Sequence, residues 1–222
     1  SGLAFELLDS FLTDALFASW SSKITYNRAE GLGFASQPAK QHFVDRLKAY
    51  DAVHGTSWGE ALPRDAANAF ALLDSYFRHC ATLAPARPVV LILPFAETLV
   101  PNGDASYRTP EDRAVLVYLR KWAQDPVLLA KNIVVVLVTE SLAELDPKLV
   151  RASATREVEI PRPDLTERRE YLETVRPPEW FGRHSEVPPQ RLAELTAGMT
   201  RAQLAQLLDG AEAAPADFKL TL

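Results

Sequence analysis

Residues 132–173 read NIVVVLVTESLAELDPKLVRASATREVEIPRPDLTERREYLE, and their order decides the fold. An apolar run, Asn132 to Val138, ends at Thr139. Leu145-Asp-Pro-Lys-Leu149 then starts a helix, and Arg151 and Arg156 flank a turn. A short strand at 157–160 leads into Pro161-Arg-Pro-Asp164 and a charged helix. Upstream, Arg87-Pro-Val-Val-Leu-Ile-Leu93 is a second apolar run without alternation. Such runs read as strands covered on both faces, the signature of a parallel sheet under helices.

Working outward, Leu3–Ser19 spaces Phe5, Leu8, Phe11, Leu12 and Leu16 at helical intervals. Lys23–Asn27 reads as a strand, and Leu32–Ala35 as a second strand within the loop Arg28–Gln37. Pro38 suits the first position of a helix carrying Phe43, Val44, Leu47 and Tyr50. Residues 65–83 form an Ala-rich helix with Phe70, Leu73 and Phe77 on one face. Thr109-Pro-Glu-Asp112 starts a further helix: Thr as cap, Pro at the first position, acids in the first turn. Strands alternate with helices, so the expected core is α/β with a parallel sheet. After Pro177-Pro178 only helices remain, near 188–197 and 200–212, with Thr200 as the cap of the second. The expected division is an α/β core at 1–177 and a small helical subdomain at 178–222.

Composition fits a folded protein: of 222 residues, 47% are hydrophobic and 24% charged. A net charge of −5 gives no basic footprint, so nucleic acid is not an expected partner. Apolar runs fall far short of the roughly 20 residues a membrane helix needs. Cys80 is the only cysteine, which points to a reducing, cytoplasmic setting without disulfides. His42, His54, His79 and His184 share no ligand spacing with one another or with Cys80, so no metal site is expected. Trp20, Trp58, Trp122 and Trp180 read as packing residues, and Arg162, Arg168 and Arg169 as a solvated basic face. Asp217-Phe-Lys-Leu-Thr-Leu222 stops without a terminator signal, as in a chain cut from a longer one.

The order of elements resembles an AAA+ ATPase module: a parallel sheet flanked by helices, followed by a helical lid. Leu145-Asp-Pro-Lys-Leu149 matches that family's Leu-Asp-Pro-Ala-Leu pattern, and Ile160-Pro-Arg-Pro-Asp164 with Arg168 matches its Val-Pro-x-Pro-Asp and following Arg. Leu192–Thr200 with Leu204 is similar to the segment where two lid helices meet. The likeness is good over 87–210 and poor over 1–86. It implies ATP and Mg²⁺ as the family's ligands and a ring of subunits as its assembly, with a sheet order of 5-1-4-3-2.

The chemistry that goes with the resemblance is absent at three places. The phosphate loop needs Gly-x-x-x-x-Gly-Lys-Ser/Thr, because backbone N–H groups cradle the phosphates and Lys neutralises them. No Gly-Lys pair occurs; Gly31 and Gly33 are the nearest candidates by position. Pro94 stands where the metal-binding Asp aligns, leaving Glu97 as the one candidate catalytic acid. Glu140 follows Thr139 where the family has Asn, placing a carboxylate beside the expected phosphate. Thr139 is a candidate nucleotide contact, with local backbone capping as its plainer role. Arg151 and Arg156 fall near the family's arginine turn and are candidate contacts to a neighbouring subunit.

The resemblance therefore implies a non-hydrolysing module, like the inactive N-terminal module of bacterial tandem AAA+ proteins. Its expected partners are a catalytic AAA+ module in the same polypeptide and copies of itself in a ring. Two other readings stand beside it. One is a divergent ATPase that binds ATP through a non-standard loop at 28–36. The other is an unrelated α/β protein-interaction module.

Overall fold

The computed structural model describes residues 8–104, 106, 108–215 and 218–221. The expected helical residue Phe5 lies outside them. The chain divides into two compact units, one ending at Glu157 and one starting at Val158.

The first unit is built on a sheet of β1 (Ser22–Asn27), β2 (Gly31–Phe34), β3 (Val89–Leu93) and β4 (Ile133–Leu137) in the order β2-β1-β3-β4. β1, β3 and β4 run parallel, and β2 returns antiparallel beside β1. All five residues of β3 are buried. Its side chains alternate between two layers, as a strand requires. Val89, Leu91 and Leu93 enter the main core, whereas Val90 and Ile92 pack with Leu12 and Phe17 on the opposite face.

The main core is roofed by α2 (Gln37–His54), α3 (Ala66–Thr82), α4 (Pro110–Trp122) and the short α5 (Pro126–Leu129). α3 turns Ala66, Ala69, Phe70, Leu73, Phe77 and Cys80 into the core. α4 starts as expected: Thr109 and Asp112 form a reciprocal capping box. α2 starts at Gln37 because Ser36 is the cap, accepting the Ala39 N–H at 3.3 Å. Among the described residues, the opposite face carries α1 (Leu8–Ser10), which continues as a π-helical stretch over Phe11–Leu16.

Two polar clusters lock the layers: the first ties α3 to α4, the second ties helices to the sheet. Asp74 of α3 accepts from Trp122 Nε1 at 2.8 Å, Lys121 Nζ at 3.0 Å and Arg78 Nε at 3.2 Å. Burial alone would raise its pKa; these donors outweigh burial and hold it below the usual value. Between α2, α3 and β1, the Tyr76 hydroxyl lies 2.9 Å from both Ser22 Oγ and His42 Nδ1, while Arg87 Nε donates to Ser22 Oγ at 2.8 Å. Burial, then Arg87 and His79, lower the His42 pKa.

Two strand expectations need correction. β4 is only half-buried, with Val134 37% exposed, because no described strand pairs with its outer edge. The segment 157–160 forms no strand, and Val158 and Ile160 are exposed. The expected order 5-1-4-3-2 also needs correction: the described sheet runs β2-β1-β3-β4, so the first strand lies beside β3 on the side away from β4 rather than beside β4, and β2 is antiparallel.

The second unit comprises α7 (Leu165–Val175), α8 (Pro178–His184), α9 (Pro189–Leu195) and α10 (Arg201–Ala213). The first unit also holds the short α6 (Pro147–Val150). Leu172, Trp180, Phe181, Leu192, Ala193 and Leu208 make the core of the helical unit. α7, which the sequence placed with the α/β part, clusters here with the helices that follow it. Thr200 caps α10 as expected, in a capping box with Gln203.

Arg168 corrects the solvated basic face: it is buried, donating from Nε to the Ala193 carbonyl at 2.9 Å and from Nη1 to the Pro163 carbonyl at 2.6 Å. A guanidinium joins the start of α7 to α9 because its planar fork reaches two carbonyls at once.

Two outcomes follow. Arg168→Met strands two buried carbonyls and destabilises the chain by about 2 kcal/mol in urea unfolding, by loss of charged hydrogen bonds; a loss below about 0.5 kcal/mol would contradict the clamp. For His42 the folded pKa lies below the unfolded one. Its contribution is present above the unfolded value of about 6.5 and is lost as pH falls below it. The melting temperature of the wild type therefore drops between about pH 7.5 and pH 5.5, and His42→Gln shows a shallower drop.

Candidate functional site

In open parallel sheets the loops after the strands gather at the carboxyl edge, where ligands bind. Here that edge carries three segments: Arg28–Glu30 after β1, Pro94–Thr98 after β3, and Val138–Ser141 after β4.

The segment after β3 is closed by its own backbone. Phe95, 65% exposed, adopts a left-handed conformation (φ 55°, ψ 45°) that non-glycine residues seldom take. It is held there because Thr98 donates to the Phe95 carbonyl twice, from N–H at 2.9 Å and from Oγ1 at 2.7 Å. The Ala96 N–H donates to Val138 O at 3.0 Å, joining the ends of β3 and β4. Leu99 and Val100 N–H groups both donate to Ala96 O at 3.0 Å. The amides of Ala96, Thr98, Leu99 and Val100 are thus already used. Glu97 Oε2 is buried and has no hydrogen-bond partner among the described residues.

After β4, Thr139 Oγ1 donates to Ser141 O at 3.2 Å, the local capping role. Ser141 caps the following 3-10 turn, accepting the Ala143 N–H at 3.3 Å. Glu140 is exposed. Glu97 and Thr139 thus follow adjacent strands, and no hydrogen bond joins them among the described residues.

Gly31 and Gly33 lie in β2, two positions from β3, inside an antiparallel hairpin. Gly31 has φ +79°, the conformation that lets the chain turn. Gly33 faces Thr25 so closely that a Cβ would overlap Thr25 Oγ1. Gly31 thus serves the turn and Gly33 the close strand approach. Past them, Ser36 caps α2, and Leu32–Gln37 with Lys40 lines a shallow groove.

Arg28 pins the hairpin turn to the carboxyl edge. It pairs with Asp112 and, at 3.2 Å, with Glu111, and its Nε donates to Thr98 O at 2.8 Å. Asp146 of the Leu-Asp-Pro motif is buried. It caps α6 through the Lys148 N–H at 2.8 Å and pairs with Arg108 at 2.5 Å. Arg151 and Arg156 follow α6 and are exposed. Arg156 Nη1 bonds only main-chain carbonyls, Ser153 O at 2.9 Å and Thr155 O at 3.0 Å; neither arginine has an ion pair among the described residues.

Sequence reasoning missed Arg28, Phe95 and Arg108. Arg28 and Arg108 find their carboxylates far along the chain, beyond any local spacing. No sequence rule puts a phenylalanine in a left-handed turn.

A largely parallel sheet under helices, with its loops gathered at the carboxyl edge and a helical unit after it, is the layout of a Rossmann-like module with a helical companion. Residues 3–161 match the family described as AAA+ chaperone, N-terminal Rossmann-like domain, and residues 166–222 match AAA+ chaperone, second helical domain. The chain belongs to the AAA+ chaperone family. No curated protein matches it.

The tight glycine contact gives a direct check. Gly33→Ala destabilises the chain by about 1–3 kcal/mol through overpacking, read by chemical unfolding. Adding Thr25→Ala restores much of that loss. Equal stability of wild type and Gly33→Ala would contradict the close approach.

Proposed function

We propose that this chain is a non-hydrolysing AAA+ module whose work is assembly: it packs beside a catalytic AAA+ module and beside copies of itself, and helps position substrate. One observation carries the reading. At the carboxyl edge the amides and hydroxyls of Ala96, Thr98, Leu99, Val100 and Thr139 close local turns, while the carboxylates of Glu97 and Glu140 lack hydrogen-bond partners among the described residues.

A magnesium triphosphate does not fit such a set. Its phosphates need convergent N–H donors and a cation, and two carboxylates repel them. No group of three metal-ligating side chains occurs among the described residues. Arg151 and Arg156, exposed and without acidic partners, are suited to meet a carboxylate or phosphate on a neighbouring module. No described helix is long and apolar enough to cross a membrane, and a cytoplasmic location is part of the proposal.

Calorimetry and phosphate release test this. With Mg²⁺ and ATP near millimolar concentration, the purified chain is expected to show neither heat of binding nor turnover. Turnover that Glu97→Gln abolishes would sink the reading. Micromolar binding lost on Gly33→Val, without loss of fold, would favour the groove at 32–37 as a nucleotide site instead.

A further inference from the structure

The amino edge of the sheet, where β1 and β3 begin, gathers positive charge that the fold leaves unmatched. His42 and Arg46 are four residues apart on α2 and share a face. That face meets α3: the His42 ring centre lies 5.6 Å from that of Tyr76 and 6.0 Å from that of His79. Arg87, just ahead of β3, joins the group from the sheet side through Ser22 Oγ and the Tyr76 hydroxyl. Arg28, Arg78 and Arg108 all have carboxylate partners. Neither Arg46 nor Arg87 has one among the described residues, and neither histidine does.

Each of the four keeps a donor unspent. Arg46 Nε is buried and has no hydrogen-bond partner among the described residues. His42 uses Nδ1 on the Tyr76 hydroxyl at 2.9 Å, which leaves Nε2 open. Arg87 uses Nε on Ser22 Oγ and one terminal nitrogen on Ser21 O, leaving the other terminal nitrogen. The His79 ring makes no hydrogen bond among the described residues. The crowding is felt within the cluster. Burial, then Arg87 and His79, lower the His42 pKa; burial, then Arg46, lowers that of His79. Like charges that repel a proton here would attract an anion.

We infer that His42, Arg46, His79 and Arg87 bind a phosphate dianion, free or as a monoester, where α2 packs on α3. The two guanidiniums supply permanent charge, and the two imidazoles become charged donors when the ligand arrives. A dianion with three or more acceptor oxygens matches four donors better than a singly charged carboxylate does. A cation does not fit: both arginines repel it, and no group of three metal-ligating side chains occurs among the described residues. The same repulsion acts on the magnesium that accompanies ATP, so the magnesium nucleotide is not the ligand.

The groups that oppose an anion here are already engaged. Asp45, the acid beside His42, is exposed and bonded by Lys48 Nζ at 3.1 Å and Gln41 Nε2 at 2.8 Å. Tyr76 and Cys80 lie beneath the cluster, and burial raises both of their pKa values, so both stay neutral. The last carbonyls of α3 would repel an anion. Two of them are bonded: His79 O by Thr82 Oγ1 at 2.8 Å and Cys80 O by the Arg87 N–H at 3.1 Å. The cluster lies at the end of the sheet opposite the loops after β3 and β4. It therefore stands apart from the assembly role proposed above.

Proton NMR of the four histidines in the whole 222-residue chain is the test, with ionic strength held constant by chloride. Inorganic phosphate is expected to make His42 and His79 titrate at higher pH, saturably, with a Kd on the order of a millimolar near pH 6. The signals of His54 and His184, outside the cluster, stay where they are. Affinity falls as pH rises and the two histidines lose their protons. Acetate at the same concentration has a much weaker effect. Glycerol phosphate separates the sources: equal or tighter binding means a site for monoesters, and no binding means a site for the free ion. Arg46→Gln weakens phosphate about tenfold. Without phosphate it lets His79 titrate at higher pH and leaves the melting temperature no lower, whereas a merely structural arginine would lower it. If that variant unfolds, His79→Gln carries the same affinity test. Three results overturn the inference: no phosphate-dependent change at His42 and His79, changes shared equally by His54 and His184, or an affinity that Arg46→Gln leaves unaltered.

Discussion

The structure depends on the burial of β3. Val89–Leu93 is enclosed on both faces and both edges, and a buried main chain must pair all of its polar groups. That demand fixes β1 and β4 as parallel neighbours at matched register, Thr25 opposite Ile92 and Leu93 opposite Leu137. Side-chain alternation then assigns the layers. One face takes α3 and α4 through Val89, Leu91 and Leu93; the other takes α1 through Val90 and Ile92. The position of the carboxyl edge follows from the same pairing.

Scaffold and chemistry separate at that edge. The motifs that mark the family serve the fold: Asp146 caps α6 and pairs with Arg108, and Arg168 ties Pro163 to α9. Neither role involves a phosphate. The chain after β3 folds into a 3-10 turn behind Phe95. A fold held by buried pairings keeps its shape when the loops beyond it change. Matching an AAA+ family along nearly the whole chain is therefore compatible with the assembly role proposed for this module.

Local physics was legible in the residues. Val-Val-Leu-Ile-Leu reads as a strand covered on both faces, Thr109-Pro110 and Thr200 announce their helices, and the order of elements implies a parallel sheet. What stayed hidden depends on distant partners. β4 is as apolar as β3 and differs in having no outer neighbour among the described strands, which no local pattern reveals. Arg168 looks like surface charge until α9 supplies the Ala193 carbonyl. Gly31 and Gly33 resemble a loop until Asn27 and Thr25 are seen opposite them. Glu97 and Thr139 were placed at the right strand ends, because strand ends are read from the apolar runs. Arg28, which braces that edge through Thr98 and Asp112, had no signal at all.

The central claim is that the loops after β3 and β4 are closed on themselves rather than open to phosphate. Amide shift mapping by NMR measures this at the groups concerned. On titration with Mg²⁺ and ATP, the amides of Phe95–Val100 and Thr139–Ser141 are expected to stay where they are. Saturable shifts centred on those residues would contradict the account.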